Sequence, residues 1–153
     1  MGAKPLIHPA AKLYDEDFAL WTAETARLLR EGRFAEIDVA HVAEEIEDMG
    51  KRDHDELLSR LTLIIQHLLK WTYQPEKRSK SWRSTIAVQR RDVARLFRRS
   101  PSVRRKLTAA VAEVYRDSVE DAALETDLPE KSFPRECPFT PEQILDRDFL
   151  PGR

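Results

Sequence analysis

The 153-residue sequence has one cysteine, four glycines and a formal net charge of only −1. The single thiol, Cys137, excludes a framework of intrachain disulfides, and the scarcity of glycine disfavours a small β protein that is rich in turns. No apolar run approaches the roughly 20 residues of a membrane span, and the N-terminus lacks the apolar core of a secretory signal. We therefore expect a soluble cytoplasmic protein that makes no membrane contact.

Prolines divide the chain into long segments that can be helical, because a helix tolerates proline only in its first turn. Apolar residues recur at helical spacing within each segment, and residues 51–72 carry the widest apolar face. The predicted helices cover residues 15–31, 38–49, 51–72, 80–99 and a fifth that begins at Pro101. The fold class is therefore all-α: a compact antiparallel bundle of about five main helices in a single domain over 1–153, with its core at about 14–127.

Capping residues predict where these helices begin and end. Asp15 and Asp38 are placed to cap the first two helices, and Gly32 is the expected left-handed stop. Gly50 either separates the second helix from the third or bends a single long rod. Four prolines in thirteen residues predict an extended C-terminal arm over 128–151, and Thr140-Pro141-Glu142-Gln143 predicts a short terminal helix within it.

Several short motifs carry a resemblance to a known family. They are Glu31-Gly32-Arg33-Phe34, Ala43-Glu44-Glu45-Ile46-Glu47-Asp48-Met49-Gly50, His67-Leu68-Leu69-Lys70-Trp71, Gln74-Pro75-Glu76-Lys77-Arg78-Ser79-Lys80-Ser81-Trp82-Arg83 and Phe133-Pro134-Arg135-Glu136-Cys137-Pro138. Together they resemble the bacterial family known as domain of unknown function twenty-nine, from about Tyr14 to Pro151. The resemblance implies a small helical fold without an established activity, so it supplies no catalytic residues and no cofactor.

The near-neutral total charge hides a strong partition along the chain. Residues 77–106 hold twelve Lys or Arg and one acid, whereas residues 31–57 hold ten acids and three bases, and residues 113–148 hold eleven acids and four bases. Solvated helix faces normally mix both signs. This segregation therefore predicts either neutralisation within the fold or an external partner of opposite charge.

Internal neutralisation is simple at one end of the hairpin that helices four and five are predicted to form. There Lys77, Arg78, Lys80 and Arg83 can face Glu120, Asp121 and Glu125. The other end of the hairpin gathers six cations around one turn: Arg95, Arg98, Arg99, Arg104, Arg105 and Lys106. Only acids distant in sequence can neutralise that turn, namely Glu44, Glu45, Glu47 and Asp48 of the second helix, or a group outside the chain.

An unneutralised turn of this kind is suited to binding anions. The cations can attract an acidic protein surface or grip the phosphate backbone of a nucleic acid. Trp82 and Arg83 form a secondary patch, where an aromatic ring beside cations can stack on unpaired bases or pack into the core.

A metal site is the third alternative. Asp38, His41 and Glu45 stand at i, i+3 and i+7, so one helical face could direct all three toward an ion. A capping role explains Asp38 as well. No Glu-x-x-His pair occurs in the sequence, so we expect no metal and no other cofactor.

Two further side chains have structural explanations. His67 is expected to donate a hydrogen bond to a carboxylate of a neighbouring helix, and Cys137 is expected to be a buried thiol that anchors the arm. The sequence therefore favours a non-enzymatic cytoplasmic interaction module that binds a macromolecular partner or a second copy of itself. Nucleic-acid binding through residues 95–106 and a metal-dependent enzyme on residues 38–49 are the alternatives.

Overall fold

In a computed structural model, residues 9–152 of the chain are described, and every regular element among them is helical. The α-helices are α1 Pro9–Glu16, α2 Phe18–Arg30, α3 Val39–Tyr73, α4 Lys80–Arg99, α5 Pro101–Arg104, α6 Leu107–Thr126 and α7 Pro141–Leu145. Short 3-10 turns occupy Phe34–Glu36, Pro75–Lys77 and Glu130–Ser132. The all-α prediction is confirmed.

The chain divides into two compact units, one that ends at Gly50 and one that begins at Lys51. Helix α3 contributes residues to both. The expectation of one domain over 1–153 stays a prediction.

The first unit differs from the predicted helix 15–31, because two helices occupy that region. The Asp17 side chain, rather than that of Asp15, caps α2 by accepting a hydrogen bond from the Leu20 amide at 3.0 Å. The non-helical backbone at Asp17 (φ −152°, ψ 89°) separates α1 from α2. Gly32 ends the region in the left-handed conformation (φ 70°), as predicted. The buried apolar residues of this unit are Trp21, Leu28 and Ile37.

Gly50 does not end a helix, since α3 runs without interruption from Val39 to Tyr73. The single-rod alternative is therefore correct, and the separate helices 38–49 and 51–72 are not formed. A glycine in a helix costs only about 1 kcal/mol relative to alanine, which the flanking hydrogen bonds of a long helix offset.

The second unit has its core along α3, as the wide apolar face of residues 51–72 predicted. Six side chains of this helix are completely buried: Leu57, Leu61, Ile64, Ile65, Leu68 and Leu69. They pack in one cluster with apolar residues of α4, α6 and the C-terminal arm.

Polar contacts reveal the helix directions in this unit. Arg99 Nη2 of α4 lies 2.6 Å from Asp53 Oδ1 of α3, and Arg60 Nη1 of α3 lies 3.1 Å from Asp92 Oδ2 of α4. The later residues of α4 thus meet the earlier residues of α3, so the two helices are antiparallel.

Helix α6 runs in the same direction as α3. His54 Nε2 lies 3.9 Å from Glu113 Oε2, and the buried ammonium of Lys70 pairs with Glu125. Since α3 and α4 are antiparallel, α4 and α6 are also antiparallel, which agrees with the predicted hairpin. The predicted fifth helix is divided, however. Hydrogen bonds to the third preceding carbonyl at Arg105 and Lys106 tighten the chain into a turn between α5 and α6.

The C-terminal arm lies on this core and includes the predicted terminal helix. Thr140 and Gln143 form a reciprocal capping box at the start of α7. The Tyr115 hydroxyl donates a hydrogen bond to the Pro134 carbonyl at 2.6 Å. Phe133, Phe139 and Ile144 are buried, so the extended arm is anchored along its length.

Candidate functional site

The six predicted cations surround the connection between α4, α5 and α6, which we call the basic turn: Arg95, Arg98, Arg99, Arg104, Arg105 and Lys106. All six side chains are exposed. Pro101 begins α5, and the buried Val103 side chain holds this short helix against the core. The fold therefore presents the cations on a rigid support.

Carboxylates of the second unit neutralise two of the six cations. Arg95 Nη1 lies 3.2 Å from Asp92 Oδ1, and Arg99 Nη2 lies 2.6 Å from Asp53 Oδ1 and 3.0 Å from Glu56 Oε2. The Ser100 hydroxyl also donates a hydrogen bond to Asp53. This hydroxyl and the Arg99 guanidinium lower the pKa of Asp53, so its carboxylate stays charged in the fold.

The other four cations have no carboxylate partner within the part of the chain that the structure describes. Arg98, Arg105 and Lys106 make no ion pair there, and the Arg104 guanidinium lies 5.7 Å from the centre of the Phe97 ring. Charge on these four residues is therefore available to a group outside the chain.

Sequence reasoning did not identify the carboxylates that reach the turn. It named the acids of 38–49, whereas Asp53, Glu56 and Asp92 make the observed pairs. Asp53 and Glu56 stand at i and i+3 on α3, and this helical spacing was the signal that could have found them.

A groove extends from the basic turn along α4, beside the C-terminal arm. Three neighbouring cavities of about 450, 390 and 330 Å³ share Arg90 as a lining residue. We call this feature the α4 groove, and its exposed cations are Lys80, Arg83, Arg91, Arg98, Arg104 and Arg147. Its apolar lining includes Ala87, Ala94, Phe97, Leu145 and Leu150, and its one acid is Asp148.

Arg90 lines the α4 groove, but its guanidinium is already hydrogen-bonded within the chain and is not free to pair with a ligand. Its guanidinium donates hydrogen bonds to the carbonyls of Ile144, Phe149 and Gln143, at 2.7, 2.9 and 3.1 Å. Burial lowers the pKa of Arg90. The residue therefore attaches the arm to α4, a role that its place four residues after the buried Ile86 could have indicated.

The family model described as "Domain of unknown function DUF29" matches residues 13–150. The chain belongs to the DUF29 family. The match includes α4, the basic turn and the arm, and it confirms the family resemblance of the sequence motifs. No match was found among curated proteins or among solved structures. Within residues 9–152 of this DUF29 chain, no helix has the length and apolar character needed to cross a membrane.

The secondary patch of the DUF29 chain is partly covered. Trp82 is half-buried, and Lys70 Nζ lies 4.5 Å from the centre of its ring. Arg83 is exposed at the far end of the α4 groove. The sequence predicted that Lys77, Arg78, Lys80 and Arg83 would face Glu120, Asp121 and Glu125. In the described residues Glu125 instead pairs with Lys70, and Glu120 instead pairs with Arg116.

The three metal candidates of the DUF29 chain are occupied with one another and with Tyr14. The Asp38 carboxylate caps α3 by accepting from the His41 amide at 3.4 Å, and it also accepts from His41 Nδ1. Glu45 Oε1 accepts from the Tyr14 hydroxyl at 2.5 Å. No cluster of three His, Cys, Asp or Glu side chains suited to a metal occurs in residues 9–152.

Electrostatics in this cluster follow from the same hydrogen bonds. Asp38 raises the pKa of His41, and Glu45 raises the pKa of Tyr14 to about 12. The Tyr14 ring stacks on the His41 ring, with 3.8 Å between their centres. Tyr14 was not identified from sequence, and the cluster joins α1 to the start of α3.

The side chains of His67 and Cys137 both form hydrogen bonds to backbone carbonyls of the same chain. His67 Nδ1 donates to the Leu63 carbonyl at 2.8 Å, so the predicted carboxylate acceptor is wrong. Burial lowers the pKa of His67 and raises the pKa of the Cys137 thiol. That thiol is half-buried and donates to the Phe139 carbonyl at 3.5 Å. The thiol therefore stays protonated, which does not suit a nucleophile.

Proposed function

We propose that this DUF29 chain is a non-enzymatic interaction module that binds an acidic macromolecular surface through its basic turn. The observation that carries the proposal is the set of four exposed cations without a carboxylate partner: Arg98, Arg104, Arg105 and Lys106. Exposed charge of one sign on a rigid turn attracts a partner of opposite sign and orients it during encounter.

The neighbouring groove favours an acidic protein segment over a nucleic acid. Beside Arg98 and Arg104, the groove is lined by Phe97, Ala94 and Leu145. An amphipathic protein segment can cover these apolar groups while its carboxylates meet the cations. A phosphate backbone offers no apolar group to cover them, and Trp82 is partly covered by Lys70 instead of standing free for bases.

The test compares two probes on one set of variants. A fluorescein-labelled Glu-rich amphipathic peptide and a labelled oligothymidylate are titrated with the wild type and with the double variant Arg98→Glu/Arg105→Glu. The matched control is Lys131→Glu/Arg135→Glu, which changes two exposed cations of the arm.

We expect the wild type to bind the peptide more tightly than the oligonucleotide, with an affinity that falls as salt rises. The turn variant should lose at least about tenfold in peptide affinity, equivalent to about 1.4 kcal/mol, and the control should retain it. Equal losses in both variants would indicate a response to net charge alone and contradict the proposal. Preference for the oligonucleotide would support the nucleic-acid alternative.

A further inference from the structure

One cavity of the α4 groove lies near the beginning of α4, away from the basic turn. We call this cavity of about 450 Å³ the α4 pocket. Lys80, Arg83 and Ser84 line it from α4, and Arg147 lines it from the C-terminal arm. These residues all belong to the second unit, so the pocket is complete within that unit.

The exposed polar side chains of the α4 pocket have no partner in the fold. Lys80, Arg83 and Arg147 make no ion pair within residues 9–152, and the Ser84 hydroxyl makes no hydrogen bond there. The one acid of the lining, Asp148, pairs with none of these cations. The exposed lining therefore offers three cations and a hydroxyl donor against one carboxylate, a surplus of two positive charges.

The charge at the beginning of α4 is unfavourable for the fold by itself. Residues 77–84 hold four cations and no acid, and the helix dipole repels cations near a helix N-terminus. Glu120 and Glu125 pair with other cations, and Asp121 pairs with no cation of the described residues. An anion held in the α4 pocket would relieve this repulsion.

The arm places Arg147 beside α4. The turn that carries this residue lies between Ile144 and Phe149, whose carbonyls both accept hydrogen bonds from Arg90, at 2.7 and 2.9 Å. Ile144 is also completely buried. Arg147 can therefore meet a ligand together with the cations of α4 without a rearrangement of the arm, which lowers the cost of binding.

A phosphate monoester matches these groups better than a carboxylate does. It carries about −1.5 to −2 charges at neutral pH and three terminal oxygens, whereas a carboxylate carries one charge and two oxygens. A guanidinium can donate two parallel hydrogen bonds to a phosphate, and an ammonium or a hydroxyl can donate to the remaining oxygen. The apolar lining at Ile86, Ala87 and Leu150 can contact carbon atoms of the group that bears the phosphate.

We infer that the α4 pocket is a binding site for a phosphate monoester, borne by a protein side chain or by a small molecule. The inference goes beyond the proposed function, because the pocket contains none of the four free cations of the basic turn. Arg83 and Arg98 are fifteen residues apart, which corresponds to about 22 Å along a helix. This separation exceeds the screening length of about 8 Å at physiological salt, so each site can be varied alone.

NMR titrations of the isotope-labelled protein at constant ionic strength test the site. The probes are an end-capped Gly-Ala peptide that contains one phosphoserine, the same peptide with serine or glutamate in its place, and glycerol 3-phosphate. The pocket variant is Arg83→Gln/Arg147→Gln. The matched control is Lys131→Gln/Arg135→Gln, which removes two exposed cations of the arm outside the pocket. Circular dichroism verifies that each variant is folded.

The wild type should bind the phosphoserine peptide about tenfold more tightly than the glutamate peptide, and the serine peptide should bind least. The pocket variant should lose at least about tenfold in affinity for the phosphoserine peptide. The matched control and the basic-turn variant Arg98→Glu/Arg105→Glu should stay within about twofold of the wild type at physiological salt. Both sources of the phosphate support the site: equal affinity for glycerol 3-phosphate indicates a small molecule, and weaker affinity indicates a protein side chain.

Three results would overturn the inference: no binding of either phosphate probe by the wild type, equal affinity for the phosphoserine and glutamate peptides, or a pocket variant that binds as well as its matched control. None of these results contradicts the proposed function, which depends on how the Glu-rich amphipathic peptide responds to Arg98→Glu/Arg105→Glu. Failure of the pocket and failure of the basic turn are therefore distinguishable.

Discussion

The Asp53 carboxylate accepts a hydrogen bond from Arg99 Nη2 at 2.6 Å. This bond joins the last turn of α4 to the part of α3 that lies at the start of the second unit. The same carboxylate accepts from the Ser100 hydroxyl. This contact holds the basic turn against α3 and removes one cation from the charge that the turn presents. If the basic turn binds as we propose, we expect stability and peptide binding to depend on Asp53 in opposite directions.

Replacing Asp53 with Asn should separate these two effects. The variant frees the Arg99 guanidinium from one carboxylate, so affinity for the acidic peptide should rise about two- to threefold at low salt. Unfolding free energy should fall by about 1 kcal/mol, because the ion pair is partly exposed and screened. Urea denaturation and peptide titration measure the two quantities. Asp55→Asn, an exposed position on the same helix, serves as the control, and a decrease in peptide affinity for Asp53→Asn would contradict the argument.

Arg90 should control attachment of the C-terminal arm. Arg90→Met removes the donors to the carbonyls of Ile144, Phe149 and Gln143, and we expect a loss of about 2–4 kcal/mol in unfolding free energy. Arg90→Lys should lose less, because an ammonium can still donate to part of the set. Limited proteolysis should cleave the arm faster in Arg90→Met, and an unchanged cleavage rate would show that the arm is held without these bonds.

Two histidines should respond to pH with opposite signs. Burial lowers the pKa of His67 below its usual 6.5, so protons bind the unfolded state more readily. Its contribution to stability is complete above pH 6.5 and is lost as pH falls toward its folded pKa, by up to about 1.4 kcal/mol per pH unit. Asp38 raises the pKa of His41, so that contribution is present below pH 6.5 and is lost as pH rises through its folded pKa.

NMR titration of the imidazole signals measures both values directly. The His67 signal should titrate below pH 6.5 and the His41 signal above it. In denaturation experiments, His67→Gln should reduce the loss of stability between neutral and mildly acidic pH. Asp38→Asn should return the pKa of His41 toward its usual value. Equal midpoints for the two histidines would refute the assignment.

Two glycines should respond to alanine in opposite ways. Gly50 is exposed inside α3, and nothing lies within 4 Å of an added Cβ, so Gly50→Ala should stabilise the fold by about 0.5–1 kcal/mol. Gly32 has a φ of 70°, where a side chain is strained, so Gly32→Ala should destabilise it by about 1–2 kcal/mol. Thermal and urea unfolding check both signs. A loss of stability in Gly50→Ala would mean that α3 needs its glycine.

Local sequence signals were sufficient to predict most of the helix boundaries in the second unit. The predicted helix 80–99 coincides with α4, and the capping box at Thr140 and Gln143 begins α7 as expected. Proline and capping side chains act on backbone groups within four residues, so their effects are independent of how the helices later pack. The buried stripe of residues 51–72 followed from helical spacing in the same way.

The sequence by itself determined that this DUF29 chain is helical, that its central helix is buried and that twelve cations gather within residues 77–106. Only the tertiary structure decided which of those cations remain available. Arg99 is paired while Arg98 is free, and Arg90 is buried among carbonyls, because these outcomes depend on the register between helices and on the path of the arm. Coulomb attraction depends on the distances between charges across the fold, and the spacing of residues along a single helix does not give those distances.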